Sequence, residues 1–279
     1  MGASFAKALS LGLSRPLIGV NHLHAHLLAA GIEGELVFPA MGLLVSGGHT
    51  NIYLIRSPLL FEALGRTIDD AAGEAFDKIG KLMGLPYPSG RLIDALAAKG
   101  TVDRTMFRCP YMDNDNLDFS FSGLKTAAAT VIAKNPRIIP AGNAADHASC
   151  CQETSDFCAS LQEIIARTLE QKLSRALDRH AGVRSLIVAG GVAANSAIRS
   201  AMSVLAEKRG LRLSMPSPSL CTDNGDMVAY TGWLQAAKGG YHELSVSCVP
   251  RGTAIPDDML FAGSCAGQSA ASGAEQRGA

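Results

Sequence analysis

Two apolar runs that each break at a pair of glycines restrict the architectures open to this chain. Leu44-Val45-Ser46-Gly47-Gly48-His49-Thr50 reads as a strand entering a tight turn, and Asn51 to Ile55 continue as a second apolar strand. Ile187-Val188-Ala189-Gly190-Gly191-Val192-Ala193-Ala194-Asn195 reads as a strand, a glycine pair and then a helix. Glycine at such turns lets backbone approach a ligand and aims N–H groups at an anion. Either turn alone is an ordinary connection. Two in one chain point to a nucleotide or phosphate site set in α/β layers.

A third stretch has the spacing of metal ligands. In Asn21-His22-Leu23-His24-Ala25-His26 the asparagine suits a helix N-cap after the strand-like run Pro16 to Val20. His22 and His26 then lie four residues apart on one helical face, while His24 falls on another and is a poor ligand. Two imidazoles so placed can share one metal ion, with Asp223 of Cys221-Thr222-Asp223-Asn224-Gly225 as a third ligand. The competing reading is a plain pair of surface or buried histidines.

Composition removes several classes. At 279 residues and 47% hydrophobic the chain can bury a substantial core, and two lobes are expected. Lysine plus arginine equals aspartate plus glutamate, 25 each, so no global basic field announces a nucleic-acid partner. Any RNA footprint must be local or shared with another subunit. Seven cysteines without a CxxC pair argue for ordinary thiols in a reducing compartment rather than a disulfide framework. No apolar run is long enough to span a bilayer and no signal peptide is visible, so a soluble protein is expected.

Strands and helices alternate along the chain. Expected helices cover Ser4–Leu13, His22–Ala30, the segment from a cap at Asp69-Asp70 to Met83 (with Glu74 and Asp77), and Arg91–Lys99. Others run to about Lys134, over Glu153–His180, over Ala194–Arg209 and from about Asp223 to Ala237. Expected strands are Leu17–Val20, Ala40–Ser46, Asn51–Ile55, Glu62–Thr67, Ser185–Ala189 and Leu211–Met215. Gly84–Gly90 is a turn, Thr101–Asn116 is irregular and Pro136–Ser149 is a polar loop. The long helix carries Arg167, Lys172, Arg175 and Arg179, read as a solvated face in preference to an RNA track. Lys125 is read as an exposed helix lysine in preference to a phosphate contact. From Gly263 onward nothing builds a core, and disorder is expected.

With these residues in place, the chain resembles the TsaD family, the transferase subunit of tRNA threonylcarbamoyladenosine synthesis. The motifs that carry the resemblance are NHLHAHLLAA, LLVSGGHT, TIDDAAGEAFDK, SFSGLKT, GGVAANSAIR and CTDNGDMVAY, in the family's order, over about residues 1 to 250. The resemblance implies an α/β, actin-like ATPase fold (sugar kinase and actin, ribonuclease H-like), a duplicated two-lobe architecture. It implies that residues 1–38 and 223–250 belong to the first lobe and 39–222 to the second, with 251–279 a largely disordered tail. It also implies a first lobe incomplete at its N-terminus: family members begin with a hairpin carrying an ETSCDE-like loop, and Gly2-Ala3-Ser4-Phe5-Ala6-Lys7 matches a point well inside that lobe.

The implied reaction moves a threonylcarbamoyl group from threonylcarbamoyl-adenylate to N6 of adenosine 37 in tRNAs reading ANN codons, releasing AMP. Carried over, His22, His26 and Asp223 resemble the ligands of one divalent metal ion, iron or zinc. Leu44, Val45, Ser46, Gly47 and Gly48 resemble the adenylate loop, and Asp77, Gly90, Asp94 and Asn195 the nucleoside contacts. Phosphate would be met near Gly47-Gly48 and near the helix opening at Ala193-Ala194. No residue has the setting of a covalent nucleophile, so direct transfer is expected. Implied partners are tRNA, an inactive paralogous subunit (TsaB-like), a small ATPase (TsaE-like) or, in organellar forms, a second copy. The implied location is the bacterial cytoplasm, or mitochondria for an organellar form.

Two other classes compete. One is a truncated, inactive relative that acts only as a binding subunit. The other is a metalloendopeptidase resting on the histidine pair, against which stands the lack of a glutamate between the histidines to serve as general base.

Overall fold

The computed structural model describes residues 1–140 and 150–249. The expected disordered tail and residues 141–149 of the polar loop lie outside the described residues. The strands are β1 (Ala40–Val45), β2 (Thr50–Ser57), β3 (Leu60–Arg66), β4 (Ser185–Ala189) and β5 (Arg212–Ser214). The helices are α1 (Gly2–Gly12), α2 (His22–Leu28), α3 (Ala30–Glu33), α4 (Ala72–Leu82), α5 (Gly90–Ala97), α6 (Ser122–Lys134), α7 (Gln152–Arg179), α8 (Ser196–Lys208), α9 (Pro218–Cys221) and α10 (Gly225–Ala236). The described residues are thus mixed α/β.

One sheet of order β3-β2-β1-β4-β5 organises the described residues. β1 is antiparallel to β2 and parallel to β4, while β4 is parallel to β5. The central strand β1 is buried along its whole length, as an unbroken apolar run requires when both faces of a sheet are covered. Side chains alternate between the faces. Met41, Leu43 and Val45 join a core built with α4 to α8, whereas Ala40 and Leu44 face Leu27 of α2 together with Ile55 and Ile187. Leu27 is the peg that seats α2 on the sheet, and Leu27→Ala would cost about 2–5 kcal/mol.

Three expectations are corrected. Leu17–Val20 forms no strand; Leu17 makes a single bridge to His242, because none of the five sheet strands lies beside it to complete a ladder. Asp69 does not cap α4, whose N-cap is Ala71. Its carboxylate instead accepts hydrogen bonds from the Phe121 and Ser122 N–H groups at 2.9 and 3.3 Å, capping α6 from a distant loop. Third, the helix expected from Ala194 divides at Asn195 into a 3-10 turn and α8. The cysteines Cys109, Cys150, Cys151, Cys158, Cys221 and Cys248 are free thiols. Among the described residues no helix is long and apolar enough to cross a membrane.

Candidate metal and nucleotide site

The parallel strands β1 and β4 end side by side, with Leu44 opposite Ala189, and each then enters its glycine turn. Ligands in open α/β sheets gather outside the carboxyl ends of such strands. After β1, the Ser46 N–H donates to the His49 carbonyl at 2.8 Å. The Ser46 hydroxyl accepts from the N–H groups of His49, at 3.1 Å, and Gly48, at 3.4 Å. The serine therefore closes the turn from within. After β4, Gly190 adopts φ +97°, and a Cβ there would stand 2.3 Å from the Val45 carbonyl oxygen. Only glycine lets the two strand ends meet so closely. Gly73, in the first turn of α4, does the same work for the other side: a Cβ would lie 2.6 Å from Gly47 Cα. A mid-motif glycine in Ala71-Ala72-Gly73-Glu74 was the available signal for this approach.

The histidines are set by their cap. Asn21 Oδ1 accepts from the N–H groups of Leu23 and His24, at 2.9 and 3.3 Å, and starts α2 where the sequence reading puts it. His22 and His26 rings then stand edge to face with centroids 4.7 Å apart. Asp223, in the loop between α9 and α10, brings Oδ1 to 3.0 Å from His26 Nε2 and 3.3 Å from His22 Nε2. All three ligand atoms lie within 4.8 Å of one another. Ligands on a tetrahedral ion with bonds of about 2.0–2.1 Å sit about 3.3 Å apart, so these spacings suit a shared ion.

Burial makes the set asymmetric. His26 is 3% exposed, His22 50% and Asp223 79%. Desolvation, then the neighbouring His22, holds His26 below the usual imidazole range against the opposing pull of Asp223. The ring is therefore neutral at pH 7, the form that binds metal. Its Nδ1 is buried without a hydrogen-bond partner. The donor set, the spacing and the neutral ring all fit one divalent cation.

His24 sits elsewhere, as expected. It stacks on Phe61 at 3.9 Å between centroids and meets Tyr53 edge-on. Burial pushes it down to about 4. The metal loop borders the glycine turns through Thr222, whose methyl group lies 4.0 Å from a Cβ built on Gly191.

The other candidate residues are already engaged. Asp77 Oδ1 accepts from the Ser89 N–H at 2.8 Å, which fixes the turn before Gly90. Space above Gly90 is open, the nearest atom to an added Cβ being Phe76 Cβ at 4.0 Å. Asp94 accepts from the Ser196 N–H with both carboxylate oxygens, at 3.2 and 3.3 Å. Asn195 is buried; Oδ1 accepts from the Ala197 and Ile198 N–H groups, both at 3.1 Å, and Nδ2 donates to Gln162 Oε1 at 3.0 Å. At the start of α8, Asp94 and Asn195 supply the acceptors for the N–H groups of residues 196 to 198. Gln162 went unnoticed in the sequence because a polar residue in an amphipathic helix carries no mark of burial.

The basic row of α7, expected as a solvated face, instead bonds along one irregular segment, with Lys172 buried. Lys172 is fully buried and donates from Nζ to Asn114 Oδ1 at 2.8 Å and to the Asn116 carbonyl at 3.0 Å. Arg175 reaches the carbonyls of Asn114 and Asn116, Arg179 that of Asp115, and Arg167 Nε the Cys109 sulfur at 3.3 Å. Four cations clamp one irregular segment. Desolvation first, then Arg175, presses Lys172 down to about 8, with Asp118 pulling the other way. Lys125 is exposed on α6, as expected.

The model of the family tRNA N6-adenosine threonylcarbamoyltransferase (TsaD) matches residues 1–230, a span that contains all of these residues. The chain belongs to this family. It is 57% identical over 264 residues to the tRNA N6-adenosine threonylcarbamoyltransferase of Nitratidesulfovibrio vulgaris (strain DP4), covering 92% of this chain and 73% of that protein. The protein of the same name from Maridesulfovibrio salexigens is 53% identical over 269 residues, covering 94% and 75%. Among solved structures, HypF of T. kodakarensis aligns with a TM-score of 0.58 at 16% identity, over 84% of this chain and 39% of HypF. That likeness concerns the fold alone. The triad loop and the Gly190-Gly191 turn are neighbours through Thr222.

Proposed function

We infer that this chain is a tRNA N6-adenosine threonylcarbamoyltransferase, moving a threonylcarbamoyl group from threonylcarbamoyl-adenylate to N6 of adenosine 37 in tRNAs reading ANN codons. The observation that carries the reading is the family match running unbroken through both glycine turns, the histidine helix and the Asp223 loop. In the reaction N6 bonds to the carbonyl carbon and sheds a proton, while the anhydride C–O bond breaks and AMP leaves with the electron pair.

His22, His26 and Asp223 would hold one divalent ion, iron or zinc. Such an ion, when bound, polarises a carbonyl as a Lewis acid. The chain's own residues supply position. The turn at Leu44, Val45, Ser46, Gly47 and Gly48 presents backbone to the adenylate, and its shape is held from inside by the Ser46 hydroxyl. Asp77 keeps its second carboxylate oxygen without a hydrogen bond among the described residues, and so can accept from ribose beside the open surface of Gly90. Asp94 and Asn195 act as the frame of the nucleoside pocket, since their acceptors already hold the start of α8. Holding both reactants in one geometry is worth a large share of such a barrier.

The substrate partner is tRNA. A paralogous TsaB-like subunit, a TsaE-like ATPase or a second copy of the chain, and a cytoplasmic setting, extend the same reading. Neither the endopeptidase nor the binding-only reading gains an observation: between the two ligand histidines stand Leu23, the stacked His24 and Ala25, none of them a carboxylate base. The test is incubation with unmodified tRNA and threonylcarbamoyl-adenylate, followed by mass spectrometry of the nucleosides. Threonylcarbamoyladenosine should form and be lost in Asp223→Ala. No product from the wild-type protein would refute the assignment, and equal yields from both proteins would refute the role given to Asp223.

A further inference from the structure

The loop that carries Asp223 is fastened to the histidine-bearing helices at two places outside the triad. Downstream, Met227 of α10 packs on Ala25 and Ala29 of α2, and Tyr230 lies so close to α3 that a Cβ on Gly31 would meet its hydroxyl at 2.6 Å. Upstream, Glu33 at the end of α3 accepts a hydrogen bond from the Ser217 N–H at 2.8 Å. Ala29 is at once the last cap of α2 and the first cap of α3, so Glu33 rides on the same helical piece as His22 and His26.

Between those fastenings the loop is internally braced. Asn224 Nδ2 donates to the carbonyls of Thr222 at 2.8 Å and Leu220 at 3.4 Å, and Asn224 Oδ1 accepts from the Met227 N–H at 2.8 Å. A braced loop pivots as a unit. With its downstream end seated on α2, the direction in which Asp223 points is set by what holds the upstream end. Asp223 itself is mostly exposed, and among the described residues its carboxylate pairs with the two histidines.

We propose that Glu33 is a positioning residue for the metal centre, tying the Asp223 loop to the helices that carry the other two ligands. The proposal rests on the metal reading given above. Hydrogen bonds from the Ser217 hydroxyl and then its N–H hold the Glu33 carboxyl below the usual range, so it is an anionic acceptor at neutral pH. Because Glu33 is exposed, this bond adds little to global stability. Its leverage is local, like that of the outer partners that orient metal ligands.

The experiment is a Co2+ titration of the whole chain, followed by the visible absorption of the bound ion. Glu33→Ala should weaken Co2+ binding about tenfold, and Glu33→Gln, which still offers an acceptor to Ser217, should recover most of that loss. In an Asp223→Ala background, Glu33→Ala should cause no further weakening, because the group it orients is gone. Unchanged binding in Glu33→Ala, or the same tenfold loss in both backgrounds, would overturn the proposal. Wild-type protein that fails to bind Co2+, or His26→Ala that binds as tightly as wild type, would overturn the metal centre and this proposal with it.

Discussion

The two halves of the site differ in how much bonding capacity they keep in reserve. Around the triad, Asp223 is exposed, His22 is half exposed and His26 keeps a buried nitrogen without a partner. Around the start of α8, Asp94 and Asn195 have their acceptors filled by backbone N–H groups, and the Asn195 amide donates to Gln162. Folding stability explains the second arrangement, whereas in the first three ligand atoms converge on one another at a mostly exposed point. Unspent donors and acceptors that converge on one point mark where a ligand bonds, and spent ones mark the frame that holds the ligand's surroundings in place.

The largest effect should come from the reserve half. His26→Ala removes the buried ligand, and zinc affinity measured by competition with a chelator should fall on the order of 100-fold or more. The melting temperature of metal-free protein should also fall, since the buried ring leaves a cavity and loses its 3.0 Å bond to Asp223, so affinity is measured well below that temperature. A large melting shift with intact zinc binding would reverse the roles assigned to the two halves.

Asn195→Ala probes the spent half. It removes a helix cap, worth about 0.5–2 kcal/mol, and leaves the buried Gln162 oxygen unpaired, worth about 1–3 kcal/mol. Urea unfolding of metal-free protein should therefore show a loss of about 2 kcal/mol or more. No loss would mean that Asn195 is held in reserve for a ligand.

A smaller effect belongs to Lys172, the most deeply spent cation. Its folded value of about 8 lies below the ordinary 10.5, so between those values the unfolded chain binds more protons. Stability contributed by this group must then rise as pH climbs from about 8 toward 10.5. Lys172→Met should flatten that rise in urea unfolding followed across the window, and an unchanged slope would show that the clamp carries no such penalty.

The smallest effect is expected at His24. Its ring is stacked and held to about 4 by burial, below the ordinary 6.5, so stability from keeping it neutral is lost as pH falls through that interval. His24→Phe should remove this acid-side loss and leave zinc affinity within about twofold of wild type, because the residue lies outside the triad. A clear drop in affinity would draw His24 into the centre.

What could be read from the sequence follows from the range of the forces involved. The β1–β2 hairpin, β4 and α7 emerge within a residue or two because their periodicity and glycine breaks are local. The histidine face was legible because Asn21 caps α2 from one residue away. Asp69 bonding to Ser122, Lys172 to Asn114 and Glu33 to Ser217 join residues far apart in the chain. Amphipathic spacing tells which side of α7 is apolar but not that an irregular segment folds over its lysine. Gly73 belongs with these: its need for a bare Cα arises only once α4 meets Gly47.

The most direct test of the contrast between the halves is anomalous X-ray diffraction at the zinc or iron edge from crystals loaded with that metal. The account predicts one strong peak about 2.0–2.3 Å from ligand atoms of His22, His26 and Asp223 together. A strong peak at any other cluster, with the triad left bare under saturating metal, would contradict it.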